Sequence, residues 1–311
     1  MKRDLQEFFD EYIHECEFSR RLRNETLRGY KQTFATFIKL MPDASLKTIS
    51  PSFMTNFFKI LEQRKRMVGK GIIKTGVKKS TIATYWSKLN NFFDWLKLKK
   101  LIRSNPFSEM QYPTPVYEDR KFLKKEEVEK IISAIITNSN NNILIFKRNL
   151  VIVHLLLFCG LRREELLLLQ VRDLDLERRI ITIRAETSKI PRTRYLPLHS
   201  QLILYLKDYL KERRHLTTSY LIVSSARDDM LSYDGLHHLV LKLKRCSGVK
   251  FHLHQFRHTF AVNFLKSSNN IAKLKQLMGH TDIRMTLVYL RCLPTDEMRE
   301  DIENMSIDSL V

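Results

Sequence analysis

Acidic side chains are the first scarcity. The 311-residue chain holds 34 Asp and Glu against 54 Lys and Arg, a net charge of +20. Such an imbalance points to a polyanionic partner, nucleic acid being the commonest, with a merely solubilising basic surface as the plainer alternative. Cysteine is scarce as well. Cys16, Cys159, Cys246 and Cys292 are scattered with no CxxC spacing, which excludes a disulfide scaffold or a structural zinc module and suits a reducing cytosol. No long apolar run is present: the best, from Ile143 to Gly160, is interrupted by Lys147, Arg148 and His154. It is too broken to span a membrane and reads as a buried helix. The opening Met1-Lys2-Arg3-Asp4 is no signal peptide. Internal repeats and low-complexity tracts are lacking too. What remains is a chain that is 43% apolar, with enough for real cores and a length suited to about two domains.

The first hundred residues read as all-helical. Leu5, Phe8, Phe9 and Tyr12 recur at helical spacing, as do Leu27, Tyr30, Phe34 and Phe37. Ser50 followed by Pro51 is a helix start. Ser80 is a second candidate cap, before a face of Ile82, Tyr85, Leu89, Phe92, Phe93 and Leu96. That stripe is core rather than a base-stacking platform. From Lys59 to Arg103 there are 13 basic residues against Glu62 and Asp94, a density that fits a phosphate-facing side better than a solvated one. Within it Arg64, Lys65, Arg66, Lys70, Lys78, Lys79 and Lys88 are the candidate DNA-binding residues, with Arg194 from further along.

Asn105-Pro106-Phe107 closes this domain, 1–106, and 107–121, with Pro113 and Pro115, reads as a linker. A second domain, 122–294, opens on Leu123-Lys124-Lys125-Glu126-Glu127, and an Asn/Ser loop follows at 138–142. The β-branched run 179–184 and its answer at 193–198 predict a hairpin with a long loop. Helices are expected at 199–213, 231–246, 254–266, 270–278 and 282–292. The tail, 295–311, reverses the charge, with six acidic residues and only Arg299 to oppose them. Met298, Ile302 and Met305 align as an apolar stripe, so the tail is either a frayed end or a helix that docks on a neighbouring subunit.

The candidate chemistry lies between Arg162 and Tyr289. Breaking a phosphodiester while conserving its energy requires cations on the non-bridging oxygens, an in-line nucleophile, a base and an acid. Guanidinium suits the first task, because its fork matches two phosphate oxygens. Arg162, after an apolar run and a glycine, falls where a buried helix begins and where amides favour an anion. Glu165 is placed to orient it, and Arg163 is read as structural. Arg257 lies three residues from His254, on the same helical face. His252, His254 and His258 are crowded enough to suggest a metal, but no carboxylate or cysteine accompanies them at ligand spacing. His254 is read as a proton carrier, His280 as a donor to a phosphate oxygen, Lys189 as the acid for the leaving 5′ oxygen, and Tyr289 as the nucleophile.

These motifs resemble the tyrosine recombinases, or phage integrase family. The matching pieces are Cys-Gly-Leu-Arg162-Arg-Glu-Glu-Leu, Lys189 followed by Arg194-Tyr-Leu-Pro-Leu, and His254-Gln-Phe-Arg257-His-Thr-Phe. Leu-Met-Gly-His280 and Thr286-Leu-Val-Tyr289 complete the order. Asn-Pro-Phe at 105–107 and the Ser-Thr-Ile helix start at 80–82 resemble the family's core-binding domain. Met278 stands where the family more often has leucine, a volume-conserving change. The resemblance implies a mainly α fold: an all-helical, SAM-like core-binding domain and a mostly helical catalytic domain with a small antiparallel sheet, in a C-shaped clamp on DNA. It implies a site-specific recombinase acting through a 3′-phosphotyrosyl intermediate and needing no metal, ATP or other cofactor. Its partners would be double-stranded recombination sites and its own copies, four protomers joining two duplexes and exchanging their last helix. The protein would be cytoplasmic, on the nucleoid. A start directly at the core-binding domain suits a simple core-site recombinase rather than an arm-binding integrase. A type IB topoisomerase-like nicking-closing enzyme shares clamp and tyrosine; a non-enzymatic DNA-binding protein explains the charge but not the setting of Tyr289.

Overall fold

The computed structural model describes residues 4–68, 71–114, 121–138, 142–188, 192–224 and 226–292. Lys70, Lys189 and the 295–311 tail therefore lie outside the described residues. The chain divides into two compact units, Met1–Glu118 and Asp119–Val311.

In the first unit, α1 (Leu5–Phe18), α2 (Asn24–Leu40), α3 (Pro51–Gln63) and α4 (Lys79–Leu98) enclose an aromatic core. Phe9 stacks on Phe34 with centroids 3.8 Å apart, and Phe92 meets both rings edge-on. Ser50 caps α3, its Oγ accepting the Phe53 amide at 3.2 Å, and Pro51 takes the first turn, where its missing N–H costs nothing. Asn105 is buried under the core: its side chain donates to Asn90 and Asp94 and accepts the Phe107 amide. It thereby pins the chain after α4.

Two expectations are corrected here. The unit is not all-helical, because β1 (Lys65–Val68) and β2 (Ile72–Thr75) form an antiparallel hairpin between α3 and α4. A run of cations broken by Met67, Ile72 and Ile73, all exposed, carries no one-sided alternation that would announce a strand. Ser80 does not cap α4 either. The helix begins one residue earlier, at Lys79, which puts Ser80 inside its first turn.

The second unit opens with α5 (Lys125–Thr137), where Glu127 accepts the Lys124 amide. The apolar helix α6 (Ile143–Cys159) follows, capped by Asn142 and stopped by Gly160 at φ 56°. A side chain at Gly160 would collide with the Phe260 ring. The short α7 (Arg163–Leu167) leads to a three-stranded antiparallel sheet: β3 (Leu174–Asp175), β4 (Ile180–Ile183) and β5 (Arg194–Pro197), in that order. Ile183 pairs with Arg194 and Ile180 with Pro197, so the expected hairpin is present with one further strand beside it. The remaining helices are α8 (Ser200–Arg213), α9 (Tyr233–Ser247), α10 (Leu253–Ser268), α11 (Ile271–Met278) and α12 (Arg284–Leu287). Buried α6 packs against α8 and α10, and α5 against α9.

The helix expected over 282–292 is broken. Four residues form α12, and Leu290–Cys292 is a 3₁₀ turn. The amides of Thr286, Tyr289 and Cys292 bond three residues back, to Ile283, Thr286 and Tyr289. This winding is tighter than an α-helix and rarely propagates far.

Candidate active site

The end of α11 organises the site. Gly279 leaves the helix in the left-handed region at φ 60°, and the last carbonyls of α11 lack helical partners. Three consecutive ones are taken by three different arginines. Leu277 O accepts Arg194 Nε at 3.0 Å, Met278 O accepts an Arg257 terminal nitrogen at 2.6 Å, and Gly279 O accepts one from Arg162 at 3.2 Å. The negative end of the helix dipole adds to each attraction. The second terminal nitrogen of Arg257 donates to Gly160 O at 2.6 Å, tying the ends of α6 and α11 together.

Glu165 is the buried counter-charge. Arg194 grips its carboxylate with two bonds, 2.9 and 2.7 Å, while Arg162 donates its backbone amide at 2.9 Å and a guanidinium N–H at 2.8 Å. Burial pushes this carboxyl's pKa up. The hydrogen bonds and charge of Arg194, with the Arg162 contacts, more than reverse that and hold it at about 2, so it is ionised at neutral pH. Arg257, 2% exposed, is opposed in the same way. Burial first, and the like charge of Arg162 next, lower its pKa to about 9, against the pull of Glu165 and Tyr289. It remains a cation at pH 7.

His280 follows Gly279. An Arg257 N–H lies 3.2 Å from its Nε2, and its Nδ1 lies 2.9 Å from Thr286 Oγ. Guanidinium can only donate, so Nε2 accepts and Nδ1 carries the proton toward Thr286. Tyr289 is fully buried, packed with Phe260, Leu274 and Met278. Its hydroxyl is 2.9 Å from Nδ1 of His258, whose ring stands edge-to-face with His254 at 4.5 Å.

Arg162, Glu165, Arg257 and His280 are thus brought to one place, and Tyr289 packs on the same helix end. His254 is exposed, its ring edge-to-face with that of His258. Arg194 departs from the DNA-facing expectation, since its guanidinium is buried on Glu165 and Leu277 O. The pleat explains this: Arg194 shares the inward parity of Leu196 on β5, while Tyr195 points out. Lys88 is half-buried, its ammonium lying against Gly29 and 6.0 Å from the Tyr30 ring centroid. Lys65, Lys78 and Lys79 are exposed, Arg64 is half-buried, and Arg66 is half-buried with Nε on Gly76 O. Sequence reasoning missed Thr286, His258 and the cavity of about 840 Å³ beside His280, lined by Arg192, Arg194 and Lys275 among others. The His254/His258 spacing of four was the available signal for the second.

Among the described residues no three His, Cys, Asp or Glu side chains gather as a metal site would need, and no helix is long and apolar enough to cross a membrane.

Comparison with known proteins finds the phage integrase family model over residues 121–295 and the phage integrase SAM-like domain over 4–112. A tyrosine recombinase of Pseudothermotoga lettingae is 28% identical over 301 residues, 96% of each chain. Tyrosine recombinase XerC of Bacillus pumilus is 27% identical, covering 93% of this chain and 92% of its own. Among solved structures, the Tn1549 transposon integrase in complex with circular intermediate DNA shares the fold, with a TM-score of 0.74 at 18% identity over 97% of this chain and 99% of that one. XerH recombinase bound to palindromic difH substrate, a post-cleavage complex, gives 0.73 at 19% identity, over 92% and 82%.

Proposed function

We infer the reaction from one premise: the chain belongs to the phage integrase family, the tyrosine recombinases, which cut and rejoin DNA strands. It is accordingly a site-specific DNA recombinase. In the reaction we propose, the Tyr289 phenolic oxygen attacks the scissile phosphate, forming a 3′-phosphotyrosyl link and freeing a 5′ hydroxyl. A partner strand's 5′ hydroxyl reverses the step, so the bond energy is kept in the covalent intermediate. Arg162 and Arg257 neutralise the non-bridging oxygens, where each positioned donor contributes roughly 10²–10³ in rate. Glu165 fixes Arg162 and Arg194. His254 carries protons near the phosphate. His280, held at the same helix end, would donate to a phosphate oxygen. Lys189 is the acid for the leaving oxygen, and no cofactor enters the scheme.

The single observation that carries this reading is the end of α11: both proposed clamp arginines and His280 meet there, with Tyr289 packed on the same helix. The 1–106 and 122–294 domains, joined by 107–121, would hold one duplex. Exposed Lys65, Lys78 and Lys79, together with Arg64, Arg66 and Lys70, would face its phosphates. The partners are double-stranded recombination sites and further copies of the chain, a tetramer when two duplexes are paired. The acidic tail, 295–311, with Met298, Ile302 and Met305 aligned on one stripe, would dock on the basic body of a neighbouring protomer.

The test is a nicked suicide substrate, on which a freed short strand escapes and the adduct accumulates. Wild-type protein should form a covalent complex at one phosphate, and Tyr289→Phe should bind DNA and form none. An adduct with Tyr289→Phe would remove the nucleophile. Joining of two differently labelled duplexes, rather than resealing of one strand, separates recombination from a topoisomerase-like reaction.

A further inference from the structure

A buried phenol is a poor nucleophile until something takes its proton. Its ordinary pKa is about 10, and burial disfavours the phenolate further. Tyr289 is fully buried in the second unit, yet its oxygen lies 2.9 Å from the Nδ1 of His258. The two rings are 5.6 Å apart between centroids and tilted by 52°. His258 reaches this position because it follows Arg257 on α10, one residue round from the guanidinium that grips the end of α11. His254, one turn earlier on the same helix, meets the His258 ring edge-to-face at 4.5 Å. Exposure rises along this row: Tyr289 is buried, His258 half-buried, His254 exposed.

We propose that His258 is a catalytic residue, the base that takes the phenolic proton of Tyr289 as the phosphotyrosyl bond forms. The inference rests on Tyr289 being the nucleophile and adds the group that activates it. With the neutral ring protonated at Nε2, the Nδ1 lone pair accepts the phenolic hydrogen. In the step, the Tyr289 O–H bond breaks and its proton passes to Nδ1. The oxygen's electron pair makes the new O–P bond. The bond from phosphorus to the 5′ oxygen breaks, and that oxygen takes a proton from the acid on the far side of the phosphate. His258 is left as an imidazolium, and the exposed His254 ring beside it lies toward solvent. On rejoining, Nδ1 returns the proton to the departing tyrosine. A carbonyl or amide at the same place would hold the hydroxyl equally well but has no basicity near neutral pH. Imidazole, with an ordinary pKa of about 6.5, has.

The experiment compares His258→Ala and His258→Gln with wild-type protein in single-turnover cleavage of the nicked substrate at pH 7.5, each with and without added imidazole. DNA affinity and thermal midpoint are measured alongside. General-base removal typically costs about 10²–10⁴ in rate. Both variants should therefore slow adduct formation by at least about 100-fold at near-unchanged DNA affinity. Imidazole should accelerate the alanine variant, whose lost ring leaves room for it, and not the wild type. A 5′-bridging phosphorothiolate, whose leaving group needs no acid, should leave the defect in place. Glutamine at the wild-type rate would reduce His258 to a hydrogen-bond partner and overturn the proposal. So would an alanine variant that imidazole does not accelerate, or one that the phosphorothiolate restores. Failure of the Tyr289 assignment is read separately, from adduct formation by Tyr289→Phe, and does not depend on any His258 variant.

Discussion

The two units bury different chemistry. In the first, among the described residues, the buried polar side chains are Thr33 and Asn105, and the core is a mesh of rings from Phe8, Phe9, Tyr12, Phe34, Phe37, Phe57, Phe92, Phe93 and Trp95. The second has an aliphatic core built on α6, and it also buries Glu165, Arg194, Arg257 and His280. Aromatic packing gives area and shape, and it is indifferent to whether a substrate is present. Buried ion pairs give little net stability, because desolvation offsets most of their attraction. The second unit thus retains buried charges that the first, among the described residues, does not, and the proposed site is built from some of them.

Arg257→Ala should break the contrast most severely. Cleavage of the nicked substrate in a single turnover should fall by about 10²–10³ or more, while non-specific DNA affinity changes little, since this side chain is 2% exposed. Unimpaired cleavage would refute the clamp. Glu165→Gln should come next, costing about 3–5 kcal/mol in urea-unfolding stability by leaving Arg194 and Arg162 without a counter-charge. Its pH dependence sharpens the point. The folded pKa of about 2 lies below the usual 4.5, so the ionised carboxylate contributes fully above about pH 4.5. That contribution, about 3 kcal/mol, is lost as pH falls through 4.5 toward 2. The gap between wild type and Glu165→Gln should therefore be widest near neutrality and shrink in acid; a constant gap would show that the charge is not what stabilises. Smallest is Ser50→Ala in the first unit, which removes the α3 cap. It should cost about 1 kcal/mol with no effect on the cleavage rate of DNA-saturated enzyme.

Legibility in the sequence followed the same divide. Helical repeats of large apolar residues in the first unit, and Ser50-Pro51, are local signals, and the helices stand where those signals put them. The β1–β2 hairpin escaped because β2, exposed throughout, carries no buried face to write a period of two. Ser80 escaped because several polar residues before a helix can each serve as its start. In the second unit the gathering of Arg162, Glu165, Arg257 and His280 was legible as residue types at telling positions. The contact of His258 with the phenol was not, because it depends on where a broken helix sets Tyr289. Arg194, expected among the DNA-binding residues, is buried, sharing the inward parity of Leu196 on β5.

The turn at Leu277–Gly279 makes the arginines interdependent. A shift of that helix end by the length of a weakened hydrogen bond would loosen three guanidinium groups together, and through Arg257 would also disturb His280. The centre therefore has few half-built states: it is either aligned or uniformly slack. A small displacement of this single short helix would thus act on the whole centre at once.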